Sequence, residues 1–397
     1  MQAPLRSLKG DLSHEDAKRE IFSDESFLIE LGRISALRKI KLEDSKLQCL
    51  EYLKEIASKT SKNKLFWAIS KAIVRKRMIG SFNNVFYNRE KVLSLKELAR
   101  ENIVVITPNH RSVFDFMLIP YFIVGETGMM PAILAADVFN KFPVGYIFRK
   151  LGTYFVRRNA EDEIYSLVFK HYVMLAVKYE LMQLFFIEGG RVKSGGYAEP
   201  KIGILKYILN GVKKYNLSKD VIFVPVNISY DFVPESSVVV EEHLTGKRKS
   251  IFKSLFSYLT KKNLGNCYIN FGKPVSLKES LTGFNSENEA MAAFGSNLID
   301  NIKSLVVVSP ISLLCYTLIN SNKISFDEFF NSYKINFEKL KRDGCNISNV
   351  DLDKVRDYVD FAVGKKLIRF DEGFIFIDEK VKPVVEYHGR NLGHLFG

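Results

Sequence analysis

The sequence predicts an α/β protein: a mostly parallel sheet flanked by helices, with an N-terminal helical region and a mainly helical C-terminal region. Two observations carry this. In the middle of the chain, short β-branched and aromatic runs alternate with longer helical stretches, the pattern of strands buried on both faces of a parallel sheet. On either side of that block, apolar residues recur at the three- and four-residue spacing of helices. The division that follows is a helical region at 1–84, an α/β core at 85–280, and a C-terminal region at 281–397 ending in a hairpin and a terminal motif.

Taken in order, the segment from about 14 to 100 reads as helical, with Phe27, Leu28, Leu31, Ile34 and Leu37 on one face. A basic cluster of Lys71, Arg75, Lys76 and Arg77 lies beside Phe66, Trp67, Ile69, Ile73 and Ile79. Such a segment suits an anionic membrane surface; the alternative is a solvated helix face. Strands are expected at 103–107 (IVVIT), 154–158 (YFVRR), 184–188 (LFFIE) and 221–226 (VIFVPV), with helices over 163–179 and 202–212 between them. The stretch 234–262 is polar, lysine-rich and strand-poor, an excursion from the sheet, and CYINFG at 267–272 is a returning strand. Helices near 286–306, 311–320, 326–341 and 350–365 lead to a hairpin, LIRFDEGFIFID, together suggesting a small winged-helix unit.

Composition narrows the functional classes. The chain has 397 residues with 47% hydrophobic content, 31 Phe and 18 Tyr, which excludes disorder and allows a large core. A net charge of +13 suits nucleic acid, an anionic membrane or an acidic substrate without choosing among them. Cys49, Cys267, Cys315 and Cys345 stand far apart and read as reduced thiols of a cytosolic-type compartment. The N-terminus mixes Arg6, Lys9, Asp11, Glu15 and Asp16 without an apolar core, so no signal peptide is visible. The longest apolar run, Leu305 to Ile319, is broken by Ser309, Pro310 and Ser312 and is expected to be a buried helix rather than a membrane span.

Four segments carry candidate chemistry. In NHRSVFD, His110 follows the strand IVVIT, and Asp115 falls in the first turns of the next helix. From there Asp115 can fix the imidazole tautomer, leaving the other ring nitrogen to act as a general base on a substrate hydroxyl. A structural histidine beside an aspartate is the alternative for this pair alone. In GTYFVRR, Phe155 and Val156 lead to Arg157 and Arg158, which suit phosphate, or else form a solvated basic turn. In FIEGGRVKSG, Glu188, Gly189 and Gly190 precede Arg191 and Lys193, an anion-binding arrangement or a simple turn. In VPVNISYD, Pro225 shapes a strand end, either lining an acyl channel or serving structure alone.

In this order the four blocks resemble motifs I to IV of the glycerolipid acyltransferase superfamily: NHRS-x-x-D, G-x-x-F-[IV]-R-R, F-x-E-G-x-R and [VI]-P-[VI]. The paired arginines, the EGGR form, the I-S-Y-D tail and PKIGILK at 200–206 are most similar to the glycerol-3-phosphate and dihydroxyacetone-phosphate branch. YHGRNLGHLF at 387–396 resembles that branch's Y-x-x-x-N-x-x-H-x-F segment. The resemblance covers roughly 85 to 397 and implies a glycerolipid acyltransferase-like fold.

The resemblance implies transfer of a fatty acyl group from a thioester, acyl-CoA or acyl carrier protein, to the sn-1 hydroxyl of glycerol 3-phosphate. The product would be lysophosphatidate, for phospholipid biosynthesis. It casts His110 and Asp115 as the catalytic pair, and Arg157, Arg158, Arg191 and Lys193, with Glu188 and Gly189, as the phosphate site. Phe155, Val156 and Pro225 belong to the acyl-donor side or to structure, and oxyanion donors are expected among backbone amides near the dyad. Neighbouring readings are acylation of dihydroxyacetone phosphate or lysophosphatidate; a different class is a basic membrane- or nucleic-acid-binding module. Asp351, Asp353, Asp357 and Asp360 on the 350–365 helix would repel DNA, so no nucleic-acid partner is expected. No metal or redox cofactor is implied. Peripheral attachment to the cytoplasmic side of an anionic membrane is expected.

Three features depart from the family pattern. Val192 and Lys193 follow Arg191 where a small hydroxyl residue and arginine are usual, and the terminal motif's arginine is displaced to Arg390. The chain stops at Gly397, where longer relatives continue, and so reads as a short form or truncated frame. His394 is expected to pack or cap rather than serve as a second base.

Overall fold

The computed structural model describes residues 4–7, 11–158, 160–247 and 261–396. Four helices open the chain: α1 (His14–Phe22), α2 (Glu25–Arg38), α3 (Leu42–Ile56) and α4 (Lys64–Arg77). Ser13, Asp24 and Asn63 accept the orphan amides at the starts of α1, α2 and α4. Phe27, Leu31 and Ile34 point inward, as the spacing predicts, while Leu37 stays exposed. Their partner is α8 (Glu163–Lys178), so the first three helices share one core with the sheet's underside.

The main sheet has the order β1-β7-β6-β2-β5-β3-β4, with β8 against β6. Its strands are β1 (Asn84–Tyr87), β2 (Ile103–Pro108), β3 (Ala132–Ala136), β4 (Thr153–Val156), β5 (Gln183–Leu184), β6 (Val221–Tyr230), β7 (Asn266–Phe271) and β8 (Val275–Ser276). Strands β4, β3, β5, β2 and β6 run parallel, whereas β7 and β8 return antiparallel to β6. Along β2, Ile103 and Val105 enter the core beneath α8, while Val104 and Ile106 enter the opposite one. That second core is covered by α4, α5 (Arg89–Glu101), α6 (Asp115–Thr127) and α10 (Ser236–Thr245); α7 (Val144–Lys150) and α9 (Gly203–Lys214) complete the layers.

Three expectations are corrected. The segment from about 14 to 100 reads as helical, but β1 falls within it. NVFY is short and half-exposed, and its partner β7 lies far along the chain (Asn84↔Asn266), so no local signal marks it. The 184–188 strand is only two residues long, because Ile187 to Gly190 already form a turn. Pro225 sits in the middle of a ten-residue strand rather than at its end. Its missing N–H falls where β6 changes antiparallel partners, from β8 at Phe223 to β7 at Val226. There Gly272 donates its N–H to the Pro225 carbonyl, and a Cβ on Gly272 would lie 2.8 Å from the proline ring.

The excursion contains α10, and residues 248–260 lie outside the described residues. After β8 come α11 (Leu277–Ser280), α12 (Glu287–Ser304), α13 (Pro310–Leu318), α14 (Phe326–Arg342), α15 (Val355–Gly364) and α16 (Lys382–Gly389). The hairpin of β10 (Arg369–Asp371) and β11 (Phe374–Phe376) turns at Glu372 and Gly373, both at positive φ, as a two-residue turn requires. It gains a third strand, β9 (Lys323–Ser325), which precedes α14. The order helix, strand, two helices and hairpin is that of a winged-helix unit. Among the described residues no helix is long and apolar enough to cross a membrane. All four cysteines are free thiols.

Candidate active site

Strand β2 delivers the NHRS loop to the carboxyl edge of the parallel strands, where open α/β sheets bind ligands. Asn109 fixes the exit. Its side-chain amide donates to Ile228 O (3.2 Å), and its Oδ1 accepts from Ile228 N (2.7 Å), continuing the β2–β6 ladder by one more rung. His110 then projects from the loop, and Asp115 is the first residue of α6.

Asp115 is wholly buried, with its carboxylate saturated by donors. Oδ2 accepts from His110 Nδ1 (2.9 Å), Arg111 N (2.6 Å) and Ser112 N (2.8 Å), and Oδ1 accepts from the Tyr230 hydroxyl (2.5 Å). The pairing leaves His110 Nε2 as the free ring nitrogen. The ring stacks on Phe186 at 3.9 Å, and only 14% of the side chain remains accessible. Burial pulls the imidazole's pKa below its ordinary value and outweighs the opposing pull of Asp115, so the resting ring is neutral.

The FIEGGR segment grips this loop from the side. His110 N donates to Glu188 Oε2 (2.9 Å), Val192 N donates to the His110 carbonyl (3.2 Å), and Glu188 Oε1 accepts from Ala198 N (3.1 Å). Glu188 is therefore a buried brace for the loop and cannot itself attract a phosphate. Burial raises its carboxyl pKa, and the Arg111 guanidinium opposes that rise. Gly189 has φ +74°, and a Cβ there would meet the Lys201 side chain at 2.7 Å; at Gly190 a Cβ would meet nothing. Arg111 turns away from the pocket, donating from Nη1 to the carbonyls of Gly195 (2.7 Å) and Gly196 and lying over the Tyr197 ring. The terminal motif reaches the same place: the Tyr387 hydroxyl donates to Arg111 O (3.2 Å). A Cβ on Gly195 would sit 2.2 Å from the Tyr387 carbonyl oxygen.

His110, Arg158 and Arg191 share one cavity of about 230 Å³, whose body is apolar: Val113, Phe116, Phe139 and Phe148, with Ile73 and Val74 from α4. Ser70, Val74, Met117 and Leu151 also border a second cavity of about 410 Å³ between α4 and α6. A base, two guanidiniums and an apolar trench therefore meet at one place. Such an arrangement can take a molecule with an anionic end and a long apolar chain.

Other sequence candidates lie elsewhere. Arg157 does not face the cavity: it makes a two-point pair with Glu55 (2.8 and 2.6 Å) and lies over the rings of Tyr52 and Tyr165. It bolts α3 to the end of β4, because adjacent residues leaving a strand point to opposite sides. Lys193 stands behind Arg191, 3.7 Å from Glu242. Phe155 is core beneath Arg149, and neither it, Val156 nor Pro225 borders the cavity. The backbone amides expected to serve an oxyanion are engaged: His110 N with Glu188, Arg111 N and Ser112 N with Asp115, Val113 N with Glu235, and Phe114 N with the Ser112 hydroxyl. His394 packs edge-on to Tyr197, with Nε2 3.2 Å from the Lys303 carbonyl. Sequence reasoning missed Tyr230, although it lay inside the I-S-Y-D tail. It also missed Glu235 and Glu242, buried acids hidden in a stretch that looks merely polar.

Residues 86–229, which carry the dyad at the sheet edge, match the family described as Acyltransferase. Residues 245–369 match the glycerol-3-phosphate acyltransferase C-terminal region. The chain belongs to the glycerol-3-phosphate acyltransferase family. It is 25% identical to the glycerol-3-phosphate acyltransferase of Actinobacillus pleuropneumoniae serotype 5b, over 95% of this chain and 48% of the relative. It is 36% identical to that of Pseudoalteromonas atlantica over 52% of this chain and 26% of the relative. For that of Hamiltonella defensa the figures are 31% identity, 67% and 32%. The chain thus spans about half or less of the length of these curated relatives. A similar solved structure is the 1-acyl-sn-glycerophosphate acyltransferase of Thermotoga maritima, at 18% identity and TM-score 0.38, covering 59% of this chain and 76% of that one.

Proposed function

We propose that the chain acylates the sn-1 hydroxyl of glycerol 3-phosphate from an acyl thioester, acyl-CoA or acyl carrier protein, giving lysophosphatidate. The observation that carries this reading is the His110–Asp115 pair opening on a cavity that also holds Arg158 and Arg191. His110 Nε2 takes the acceptor's proton, and the alkoxide attacks the thioester carbonyl. The tetrahedral intermediate then expels the thiolate, which recovers the proton from His110. Arg158 and Arg191, with Lys193 nearby, hold the phosphate, so positioning supplies much of the acceleration. With the loop amides engaged, the developing oxyanion falls to side-chain donors at the cavity's polar end.

The membrane partner has support of its own. Helix α4 exposes Leu65, Ile69 and Ile73 beside Arg75 and Lys76, and Phe142, 88% exposed, precedes α7 with Tyr146. Lys150 joins the two elements by lying over both the Phe66 and Tyr146 rings. Ile73 and Ile147 border the His110 cavity, so this apolar and basic face adjoins it. That arrangement supports the reading of peripheral attachment to an anionic bilayer, taken to be on its cytoplasmic side.

The test is an activity matrix of the two thioester donors against glycerol 3-phosphate, dihydroxyacetone phosphate and lysophosphatidate, with vesicles present. Glycerol 3-phosphate should be the preferred acceptor. His110→Ala should lose about 10²- to 10⁴-fold in turnover, the usual worth of a positioned base, with a cooperative melt showing that the fold survives. Full activity in that variant sinks the reading.

A further inference from the structure

Two carboxylates lie buried directly behind the cavity's arginine, and nothing in the acyl-transfer steps uses them. Glu235 ends the loop after β6, and Glu242 lies on the inner face of α10. Glu235 Oε1 accepts from Val113 N (2.6 Å), and Oε2 accepts from the Ser112 hydroxyl (3.0 Å), so one carboxylate holds the loop that carries His110. The same Oε1 is 3.6 Å from Arg191 Nη1, and Glu242 Oε2 is 3.8 Å from Arg191 Nη2 and 3.7 Å from Lys193 Nζ.

Burying two acids is costly unless something compensates it. Here Arg191 and Lys193 supply part of that compensation, with the hydrogen bonds to the base loop, and Lys261 adds a positive charge near Glu235. The contacts to Arg191 are longer than hydrogen bonds. They fix the direction of the guanidinium without consuming its donors, which stay available to a phosphate in the cavity. A free arginine on a loop would lose much rotamer freedom on meeting a ligand; one held from behind has lost it already.

We propose that Glu235 and Glu242 are positioning residues that hold Arg191 preformed for the acceptor's phosphate, Glu235 also locking that arginine to the His110 loop. The proposal rests on the phosphate-acceptor reading given above. Glu235 thereby sets the distance between the phosphate anchor and the base, the length along which a three-carbon phosphorylated alcohol must fit. Glu242 is tied to the anchor and to Lys193. The two residues therefore have separable signatures.

The test uses the full chain and the variants Glu242→Gln, Glu235→Gln and Glu235→Ala, with thermal melts to establish folding. Glutamine at 235 keeps an acceptor for Val113 N and a partner for the Ser112 hydroxyl, and loses the negative charge that faces Arg191 and Lys261. Glu242→Gln and Glu235→Gln should weaken glycerol 3-phosphate binding by calorimetry, and raise its KM, about three- to tenfold, the fold-change for ordering one arginine side chain on binding. Glu235→Ala should in addition lower kcat and alter the pH profile. Affinity that is unchanged, or tighter because an opposing charge has gone, overturns the proposal. A ligand-free readout separates its failure from that of the acceptor assignment. The Nε–H resonance of Arg191, assigned through Arg191→Lys, should show by nitrogen relaxation a rigid side chain in the wild-type chain and a mobile one in a Glu235→Gln/Glu242→Gln double variant. Equal mobility in both overturns the inference whatever the acceptor is; a rigid Arg191 with no acylation of glycerol 3-phosphate sinks only the acceptor reading.

Discussion

Tyr230 donates its phenolic hydrogen to Asp115 Oδ1 at 2.5 Å, so the aspartate that orients His110 is itself held by the last residue of β6. Both side chains are buried, and burial pushes the Tyr230 hydroxyl well above its ordinary pKa, keeping it a donor throughout the working range. Tyr230→Phe removes one of four donors and leaves a buried carboxylate oxygen unpaired, at a cost of about 1–3 kcal/mol in stability. A carboxylate with fewer donors is more basic and stabilises the imidazolium more. The acid limb of the kcat/KM profile should therefore move to higher pH, with the acceptor KM little altered. Urea unfolding and a pH–rate series test both halves; an unmoved acid limb removes Tyr230 from the relay.

The neighbouring arginines of block II should separate cleanly. Arg158→Ala should raise the acceptor KM, because that side chain borders the His110 cavity. Arg157→Ala should leave the KM alone and lower stability by about 1 kcal/mol, since its pair with Glu55 is partly exposed and screened. Steady-state kinetics and denaturant midpoints on the two variants give the comparison. A KM effect at Arg157 would restore it to the phosphate site.

Much of this was legible in the sequence, and the reasons for the rest are physical. The β2 run, the helices from 287 onward and the hairpin at 369–376 announce themselves through local periodicity. His110 and Asp115 are five residues apart, so their contact needs only the loop-then-helix context that the sequence supplies. By contrast β1 is a strand only because β7 lies beside it. The roles of Arg157 and Arg158 diverge because α3 brings Glu55 to one of them, a contact across the fold. Glu188 looked like part of an anion site from its neighbours, yet two backbone amides claim its oxygens. Glu235 and Glu242 gave no sign at all, because a buried acid and a solvated one read alike in a sequence.

The fit of Gly195 against the terminal motif yields a prediction about that motif's reach into the site. Gly195 has φ +84°, and an added Cβ would meet the Tyr387 backbone at 2.2 Å, with no flexible side chain able to give way. Gly195→Ala should push α16 from the NHRS loop and disturb the carbonyl to which Arg111 donates. A loss of several kcal/mol is not required; a drop in kcat larger than that of Gly190→Ala is, since an added Cβ at Gly190 meets open space. Equal activity in the two variants would show that the terminal segment has no hold on the dyad.

The last prediction concerns pH and stability. His388 is buried against Phe232, and burial lowers its pKa from 6.5 to about 3. In the unfolded chain it protonates near its ordinary value, so between about pH 6.5 and 3 the unfolded state binds the extra proton and stability falls as pH falls. The stabilising share of the neutral ring is full above pH 6.5 and is lost going downward, by about 1.4 kcal/mol per pH unit within that window. Asp231 works in the opposite sense: burial raises its carboxyl to about 6, so its share is present at low pH and fades as pH rises through 4 to 6. A melt of the wild-type chain mixes both. The difference between wild type and His388→Gln isolates the histidine. That difference should shrink, and can change sign, as pH falls from 7 to 5, because glutamine takes no proton in either state. A difference that stays constant across that range would mean that the folded and unfolded chains protonate the ring alike, against the burial-lowered value.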